Sequence, residues 1–121
     1  MNYTDVKVAR ALLALTASEV QATEWKTEQS SNGAVAVDLR FTMAAAETCT
    51  IRFYGSHDGT TYVKVADDTV GLSETLTVST DKAYRFSSLP GLRFFRCSVQ
   101  GTGTNSTAAI YYRWFKKGSQ R

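Results

Sequence analysis

The sequence predicts an all-β fold, an antiparallel two-sheet β-sandwich of the jelly-roll or immunoglobulin-like kind with eight or nine short strands. Two-residue alternation of apolar and polar side chains recurs from end to end, whereas helical periodicity is nearly absent. Turn-forming clusters interrupt the alternation about every ten residues. No segment offers the crossover helix that parallel strands need. With 121 residues, one domain covering residues 1–121 is expected.

The first strands are expected in RALLALTAS and VQATEWKTE. A short helix is the alternative for the first of them. Thr4 and Asp5 are suitable capping residues, and Val8, Leu12 and Leu15 have helical spacing. The strand is the preferred interpretation because alternation dominates the rest of the chain.

The same N-terminal region superficially resembles an export signal, since VARALLALTASEVQA combines a basic residue, an apolar run and small residues. However, the apolar run ALLAL is short and Asp5 precedes it, so no cleaved signal is expected. No apolar stretch approaches the eighteen or so residues of a membrane span, so no membrane association is expected.

The clearest strand is AVAVDLRFTM, residues 34–43, in which every second residue is apolar. Its inward residues are expected to be Val35, Val37, Leu39 and Phe41. The same pattern in TCTIRFYGS predicts Cys49, Ile51 and Phe53 inside. The remaining strands are expected in TYVKV, ETLTVST (with Leu76 and Val78 inward), AYRFSS, LRFFRCSVQ and AAIYYRWFKK. Turns are expected at Ser31-Asn32-Gly33, Leu89-Pro90-Gly91 and residues 101–105.

Cys49 and Cys97 are the only cysteines, and both share strand parity with apolar neighbours. Two buried thiols are therefore expected. A disulfide between the sheets remains open, provided that the two Cα atoms come within about 7 Å. Two cysteines define neither a disulfide framework nor a metal site, so they do not decide the compartment.

The chain's one histidine, His57, lies in Ser-His-Asp-Gly, where Asp58-Gly59 is a strong hairpin signal. A catalytic triad would have to use this histidine at the tip of a turn, so the turn is the preferred interpretation and a non-enzyme is expected. No cofactor and no metal are expected either. One histidine and two separated, inward cysteines do not form a zinc site, and Asp67-Asp68 matches no calcium-loop spacing.

The strongest candidate for binding is the C-terminal run IYYRWFKKGSQR. In a strand, Ile110, Tyr112 and Trp114 share one face, and Tyr111, Arg113 and Phe115 share the other. One face is expected in the core and the other against a partner, because exposed aromatic and arginine side chains are enriched at interfaces. The predicted interface residues are Trp25, Tyr112, Trp114, Lys116 and Lys117. The net charge of +3 is too small to predict nucleic-acid binding.

GSHDGTTYVKV followed by LRFFRCSVQGTGTNSTAAIYYRW resembles the small β-sandwich head-decoration and structural proteins of tailed bacteriophages. The matching parts are an early alternating strand (residues 34–43), a serine-x-aspartate-glycine turn (residues 56–59), a Tyr-x-x-Val strand (residues 62–65), an arginine-bearing strand (residues 92–99), and a Gly/Thr loop with a final strand (residues 101–115). The resemblance covers residue 34 onward. The long aromatic, basic ending departs from the commonest pattern and leaves the mode of attachment open.

The resemblance implies a non-enzymatic virion protein, a capsid decoration or cement protein that binds the major capsid protein or other virion proteins. It also implies synthesis in the host cytoplasm, location on the capsid surface, and homo-oligomers that match capsid symmetry. A tail or head-completion structural protein is one alternative. The same hairpin also resembles discoidin-like sandwiches, so a carbohydrate-binding module or virion adhesin is another, with Tyr54, Tyr62 or Trp114 stacking on sugars.

Overall fold

The computed structural model describes residues 5–26, 33–77, 79, 81–86 and 93–116. These residues form two antiparallel sheets whose inner faces share one hydrophobic core, and they contain no helix. The predicted β-sandwich is therefore confirmed. Val78 and the predicted turns at Ser31-Asn32 and Leu89-Pro90-Gly91 lie outside the described residues.

The described residues contain ten strands, one more than the upper end of the prediction: β1 (Asp5–Ala14), β2 (Val20–Gln21), β3 (Trp25–Lys26), β4 (Gly33–Thr42), β5 (Cys49–Ser56), β6 (Tyr62–Lys64), β7 (Ser73–Leu76), β8 (Lys82–Phe86), β9 (Phe94–Gly101) and β10 (Thr107–Lys116). The four-stranded sheet has the order β1-β10-β4-β8. In the six-stranded sheet β5 and β9 are paired at the centre. Strands β2 and β3 follow one another along β9, and β6 and β7 both pair with β5.

The N-terminal region is a strand, as preferred over the helix. The segment VQATEWKTE is expected as one strand, but its described part, residues 20–26, forms two short strands separated by residues 22–24. Between these two strands the chain comes within hydrogen-bonding distance of the four-stranded sheet. The Ala22 N–H donates to the Cys97 carbonyl of β9 at 2.8 Å, and the Thr23 N–H donates to the Ala9 carbonyl of β1 at 3.0 Å. Residues 22–24 thus bridge the two sheets at one side of the sandwich.

Alternation places the core as predicted. Val35, Val37, Leu39 and Phe41 of β4 are buried, and so are Cys49, Ile51 and Phe53 of β5. The centre of the core is a continuous series of six aromatic rings, Tyr84, Phe53, Phe86, Phe95, Tyr112 and Trp25, with successive centroids 4.9 to 5.9 Å apart. Such pairs each add about 0.5–1.5 kcal/mol beyond the burial of their area. The series joins residues of both sheets and so holds them together.

Cys49 and Cys97 are both buried free thiols, as predicted. Both belong to the six-stranded sheet, where Cys97 lies opposite Phe53, four residues along β5 from Cys49. At about 3.3 Å per residue this offset is roughly 13 Å, which is beyond disulfide reach. A disulfide between the two sheets, which remained open from the sequence, is therefore ruled out. Burial raises the pKa of Cys49 to about 11 and that of Cys97 to about 12, which makes both thiols poor nucleophiles.

Gly101 ends β9 at a position where no larger residue fits. A Cβ atom there would lie 2.8 Å from Leu15 Cβ and 3.4 Å from the Thr16 carbonyl oxygen. Leu15 Cβ cannot yield by rotation, and the Leu15 N–H is fixed by a 2.8 Å bond to the Ser106 carbonyl.

We therefore expect Gly101→Ala to lower the free energy of unfolding by about 1–3 kcal/mol, the usual cost of overpacking. Chemical denaturation measures it. Thr104→Ala, an exposed position in the loop that follows β9, serves as the control and is expected to change stability by less than about 0.5 kcal/mol. Equal stability of the two variants would contradict the close packing at Gly101.

Candidate interaction surfaces

The bend at His57 is built as a turn. The Asp58 carboxylate accepts hydrogen bonds from the N–H groups of Thr60 and Thr61 at 2.8 and 2.9 Å, and from the Ser56 hydroxyl at 3.0 Å. The N–H groups of Thr61 and Thr60 hold the pKa of Asp58 well below its ordinary value. Gly59 follows with φ +82°. The residues that flank His57, which is itself exposed, thus serve the turn.

Asp67 has a similar structural use. Its carboxylate accepts bonds from the Thr69 N–H and hydroxyl, the Val70 N–H and, at 2.6 Å, the Arg85 N–H of β8. It therefore ties the turn at residues 67–71 to the edge of the four-stranded sheet. Within the described ranges, no three His, Cys, Asp or Glu side chains are grouped so that they might hold a metal ion, and none of the described segments is a helix of membrane-spanning length.

Two of the five predicted interface residues belong to the core region. Tyr112 is fully buried, so its placement at an interface is wrong. Its hydroxyl accepts a 3.1 Å bond from the Cys97 N–H, on the side of β9 where the break between β2 and β3 leaves no strand. Trp25 is half-buried and its ring stacks on Tyr112 at 5.9 Å, with 8° between the ring planes. Trp25 thus presents only part of its surface.

The other three predicted residues lie at the end of β10. The backbone of Trp114 pairs with Asp5 and Val35, and that of Lys116 pairs with Gly33. The side chains of Trp114 and Lys116 lie outside the described part of the structure, as does the whole of Lys117. Their use at an interface stays a prediction.

One exposed apolar feature among the described residues was not predicted. We define the β1 strip as Val8 and residues 11–14, all of which are exposed. The fractional exposures of Val8, Leu12 and Leu13 are 59%, 63% and 55%. The sequence signal was the run ALLAL, which breaks the alternation seen in the other strands. Strand β1 is an edge strand, and its register with β10 shifts twice between Val8 and Leu13, which accounts for the loss of alternation.

The β1 strip continues into the outer face of the four-stranded sheet. In register, Val8 lies beside Tyr111, which lies beside Asp38 and then Ala83. Arg113 bonds the Asp38 carboxylate at 2.8 Å. Arg40 lies 5.8 Å from the centre of the Tyr111 ring and 3.8 Å from the Asp81 carboxylate. The described part of this outer face therefore combines the Tyr111 ring with arginines that lie beside carboxylates.

The outer face of the six-stranded sheet carries a different network, centred on Glu19. Its carboxylate accepts bonds from the hydroxyls of Ser98 and Tyr54, both at 2.5 Å, and Arg52 lies 3.9 Å away. The hydroxyl bonds of Ser98 and Tyr54 lower the pKa of Glu19 below its ordinary value. Arg52 in turn donates to the side chain of Gln100 at 2.9 Å. This network satisfies its members internally.

Tyr62 lies on the same face, and its surroundings bear on the carbohydrate alternative. Its hydroxyl donates to Glu24, and the Arg96 guanidinium lies 3.8 Å over its ring. Burial, followed by the bond to Glu24, raises the pKa of Tyr62 to about 12. Because Arg96 occupies one face of the ring, Tyr62 offers at most one face to a sugar.

Several backbone groups at the edges of the four-stranded sheet are already bonded. On the β1 side the Ala9 carbonyl accepts from Thr23, and the Arg10 guanidinium donates to the carbonyls of Leu13 and Ala14 at 3.3 and 2.9 Å. On the β8 side both the N–H and the carbonyl of Arg85 are bonded to residues 67 and 68. The Arg10 guanidinium also donates to the Ala108 carbonyl of the paired strand β10, at 3.1 Å. The bonds at Ala9 and Arg85 therefore limit the addition of another strand at those two positions.

Comparison with solved structures shows that other proteins have the same fold. No protein-family model matches this sequence, and no curated protein matches it. The SPBc2 prophage-derived protein YomS superposes with a TM-score of 0.57 at 11% identity, over 92% of each chain. The PBSX exported protein XepA gives a TM-score of 0.68 at 10% identity over 98% of this chain, which spans only 39% of XepA. A chain of infectious bursal disease virus, Gx strain, gives 0.58 at 13% identity over 97% of this chain and 33% of its own.

Proposed function

We propose that this protein is a non-enzymatic structural component of a virion, a decoration or cement protein that binds the major capsid protein or another virion protein. The observation that carries the proposal is the exposed β1 strip on a sandwich whose described carboxylates largely serve internal bonds. Soluble monomers seldom leave a contiguous apolar edge uncovered, so a macromolecular partner is the expected use.

The fold also supports a virion protein in general, without indicating a particular role. YomS is prophage-derived, and infectious bursal disease virus supplies another chain with this sandwich. Their identities to this chain are too low to transfer a role, and they establish only that virus-derived proteins use the fold. The proposed location is the capsid surface, where many weak contacts would add through multivalency.

The contact residues that we propose now differ in part from the sequence prediction. Trp25, Trp114, Lys116 and Lys117 remain proposed contacts, and a closed homo-oligomer on a capsid axis remains the proposed assembly. Tyr112 is not among them, because its side chain is buried in the core.

Co-sedimentation with virus particles tests the proposal. The purified protein is mixed with capsids from a phage lysate of the strain that carries the gene, and the bound copies per particle are counted. We expect saturable binding, a copy number that follows the capsid lattice, and a higher temperature of capsid disruption. His57→Ala is the matched control and is expected to bind like the original protein, because the imidazole lies exposed in a turn and is not among the proposed contacts.

The alternatives give other results in the same experiment. A few copies per particle would indicate the tail or head-completion role. Failure to bind particles, together with specific hits on a glycan array that are lost in Tyr54→Ala, would replace the proposal with the carbohydrate-binding module.

A further inference from the structure

We infer that the outer face of the six-stranded sheet binds an acidic sugar, a pyranose unit that carries a carboxylate, through Arg96, Lys64 and the ring of Tyr54. Such a site goes beyond the proposed function, because it assigns a ligand to the sheet opposite the one that carries the β1 strip. It is indicated by a guanidinium that lacks hydrogen-bond partners, by the row of side chains in which that guanidinium lies, and by the polar character of the face.

Arg96 on β9 lacks the partners that buried polar groups normally have. Its side chain is half-buried, and its Nε atom is closed to solvent with no acceptor in reach. None of the ion pairs among the described residues involves Arg96. Native proteins seldom leave a buried donor unbonded, since the lost hydrogen bond costs stability. The guanidinium therefore has hydrogen-bonding capacity that the chain itself does not use.

The Arg96 guanidinium is held in position for a ligand. Its central carbon lies 3.8 Å from the centre of the Tyr62 ring, and the Tyr62 hydroxyl is fixed by its bond to Glu24. Because Nε is closed to solvent, the two Nη groups are the donors left for a ligand. A guanidinium binds a carboxylate through two parallel N–H···O bonds, which are stronger than bonds between neutral groups. A planar carboxylate is thus the group that best satisfies Arg96.

A second cation lies in the same row of the sheet. In register across three strands, Lys64 of β6 lies beside Tyr54 of β5, which lies beside Arg96 of β9. Lys64 is exposed and belongs to none of the ion pairs of the described ranges. Neighbouring strands are about 4.8 Å apart, so the two cationic positions stand roughly 10 Å apart. Tyr54 lies between them, and its hydroxyl is anchored to Glu19 at 2.5 Å.

The rest of this face offers hydrogen-bonding side chains rather than apolar ones. The next outward positions along β5 and β9 are Arg52 and Ser98, followed by Thr50 and Gln100. None of the large apolar side chains that are exposed in the described part of the chain lies at these positions. A protein partner normally requires apolar anchors or a free strand edge. The polar face therefore favours a sugar over a protein segment as the carrier of the carboxylate.

Two carboxylates border the row and narrow the choice of ligand. Glu19 and Glu24 are both exposed, and each accepts a hydrogen bond from a tyrosine of this face. Their charges repel a polymer with closely spaced phosphates, so a nucleic acid is not the favoured ligand. A sugar that carries one carboxylate among neutral hydroxyls meets less repulsion.

Paired oligosaccharides test the class of ligand. Sialyl-lactose is compared with lactose, and oligosaccharides of glucuronate and galacturonate with those of glucose and galactose. Each is titrated into the isotopically labelled full chain, followed by NMR, with acetate as the simple anion. We expect at least one acidic sugar to shift the amides of Tyr54, Lys64 and Arg96 saturably, with an affinity that falls as salt is added. Its neutral counterpart is expected to bind at least about tenfold more weakly.

Matched variants test the site. Arg96→Lys keeps the charge but removes the fork, and is expected to weaken binding of the acidic sugar at least about tenfold. Lys64→Gln removes the second cation and is expected to weaken it several-fold. Arg40→Gln removes a cation from the other sheet, with a side-chain exposure of 65%, and is expected to leave binding unchanged. Lys64 and Arg40 are both exposed, so these two variants are expected to keep the thermal midpoint of the original protein.

Several results would overturn the acidic-sugar site. They are no binding of any acidic sugar, equal binding of the neutral counterparts, and amide shifts confined to the four-stranded sheet. Acetate that shifts the same amides with the affinity of the acidic sugars would show an adventitious ion only. A glutamate-rich peptide that binds these amides more tightly than every sugar would assign the site to a protein carboxylate instead.

The capsid assay separates this site from the proposed function. Particle binding without sugar binding would remove the site and leave the function standing, whereas sugar binding without particle binding would do the reverse. Lys64→Gln is expected to bind particles like the original protein, because the site and the β1 strip lie on different sheets. A loss of particle binding in Lys64→Gln that Arg40→Gln does not share would assign this face to the capsid and overturn the sugar site.

Discussion

Replacing Asp67 with alanine is expected to lower the free energy of unfolding by about 2–4 kcal/mol, because it strands three backbone N–H groups that the carboxylate now satisfies. Those groups belong to Thr69, Val70 and Arg85. The first two shape the turn after Asp67, and the third lies on β8. A single side chain therefore holds the turn and covers part of the sheet edge, so its removal is expected to destabilise both the turn and β8.

The Asp67 carboxylate also makes stability depend on pH. Burial pushes its pKa upward, but the bonds from Val70, Thr69 and Arg85 outweigh burial and leave the pKa below its ordinary value. A depressed pKa in the folded state stabilises the protein at pH values above the unfolded pKa of about 3.9. This contribution is lost as pH falls from there through the folded pKa.

Asp67→Asn isolates the charge from the shape. In chemical denaturation between neutral pH and about pH 3, the original protein is expected to lose stability on acidification faster than the Asn variant does. Asp81→Ala is the control, since Asp81 is exposed and lies 3.8 Å from Arg40, and its removal is expected to cost less than about 1 kcal/mol. If Asp67→Ala costs no more than Asp81→Ala, the carboxylate has no structural role.

The fold could be predicted from the sequence because alternation of apolar and polar residues directly reflects which face of a sheet is exposed to solvent. In β4 and β5 every residue predicted inside is buried. The same reasoning did not predict the structure of residues 20–26, where two N–H groups bond to different sheets. Nothing in its composition distinguishes a strand from a bridge between sheets, because the distinction depends on long-range partners.

The candidate surface was harder to predict, because it too depends on how the strand packs against the rest of the chain. Alternation correctly grouped Ile110 with Tyr112 and Tyr111 with Arg113, but it does not say which group faces the core. Aromatic character suggested an interface for Tyr112, whereas the structure buries it and leaves Tyr111 and Arg113 half exposed. Similarly, ALLAL was expected within a strand, and only the position of β1 at the sheet edge, with its two shifts of register, shows that residues 11–14 of the run are exposed while Leu15 is buried.

Substitutions at Tyr112 are expected to have the largest effect of those proposed, and they separate its hydroxyl from its ring. Tyr112→Ala is expected to cost about 3–5 kcal/mol, because it opens a cavity between Phe95 and Trp25 in the aromatic series. Tyr112→Phe keeps the ring and removes only the acceptor for the Cys97 N–H. That change is expected to cost about 1–3 kcal/mol, since the N–H lies in the buried gap between β2 and β3.

The adjacent tyrosine provides the control. Tyr111 lies on the outer face of the same strand, so Tyr111→Phe is expected to change stability by less than about 0.5 kcal/mol. Hydrogen exchange gives a second readout: in Tyr112→Phe the Cys97 amide is expected to lose protection relative to the amides of β5 opposite it. Unchanged Cys97 protection in that variant would show that another group satisfies the amide. A large loss of stability in Tyr111→Phe would mean that the two faces of β10 are assigned in reverse.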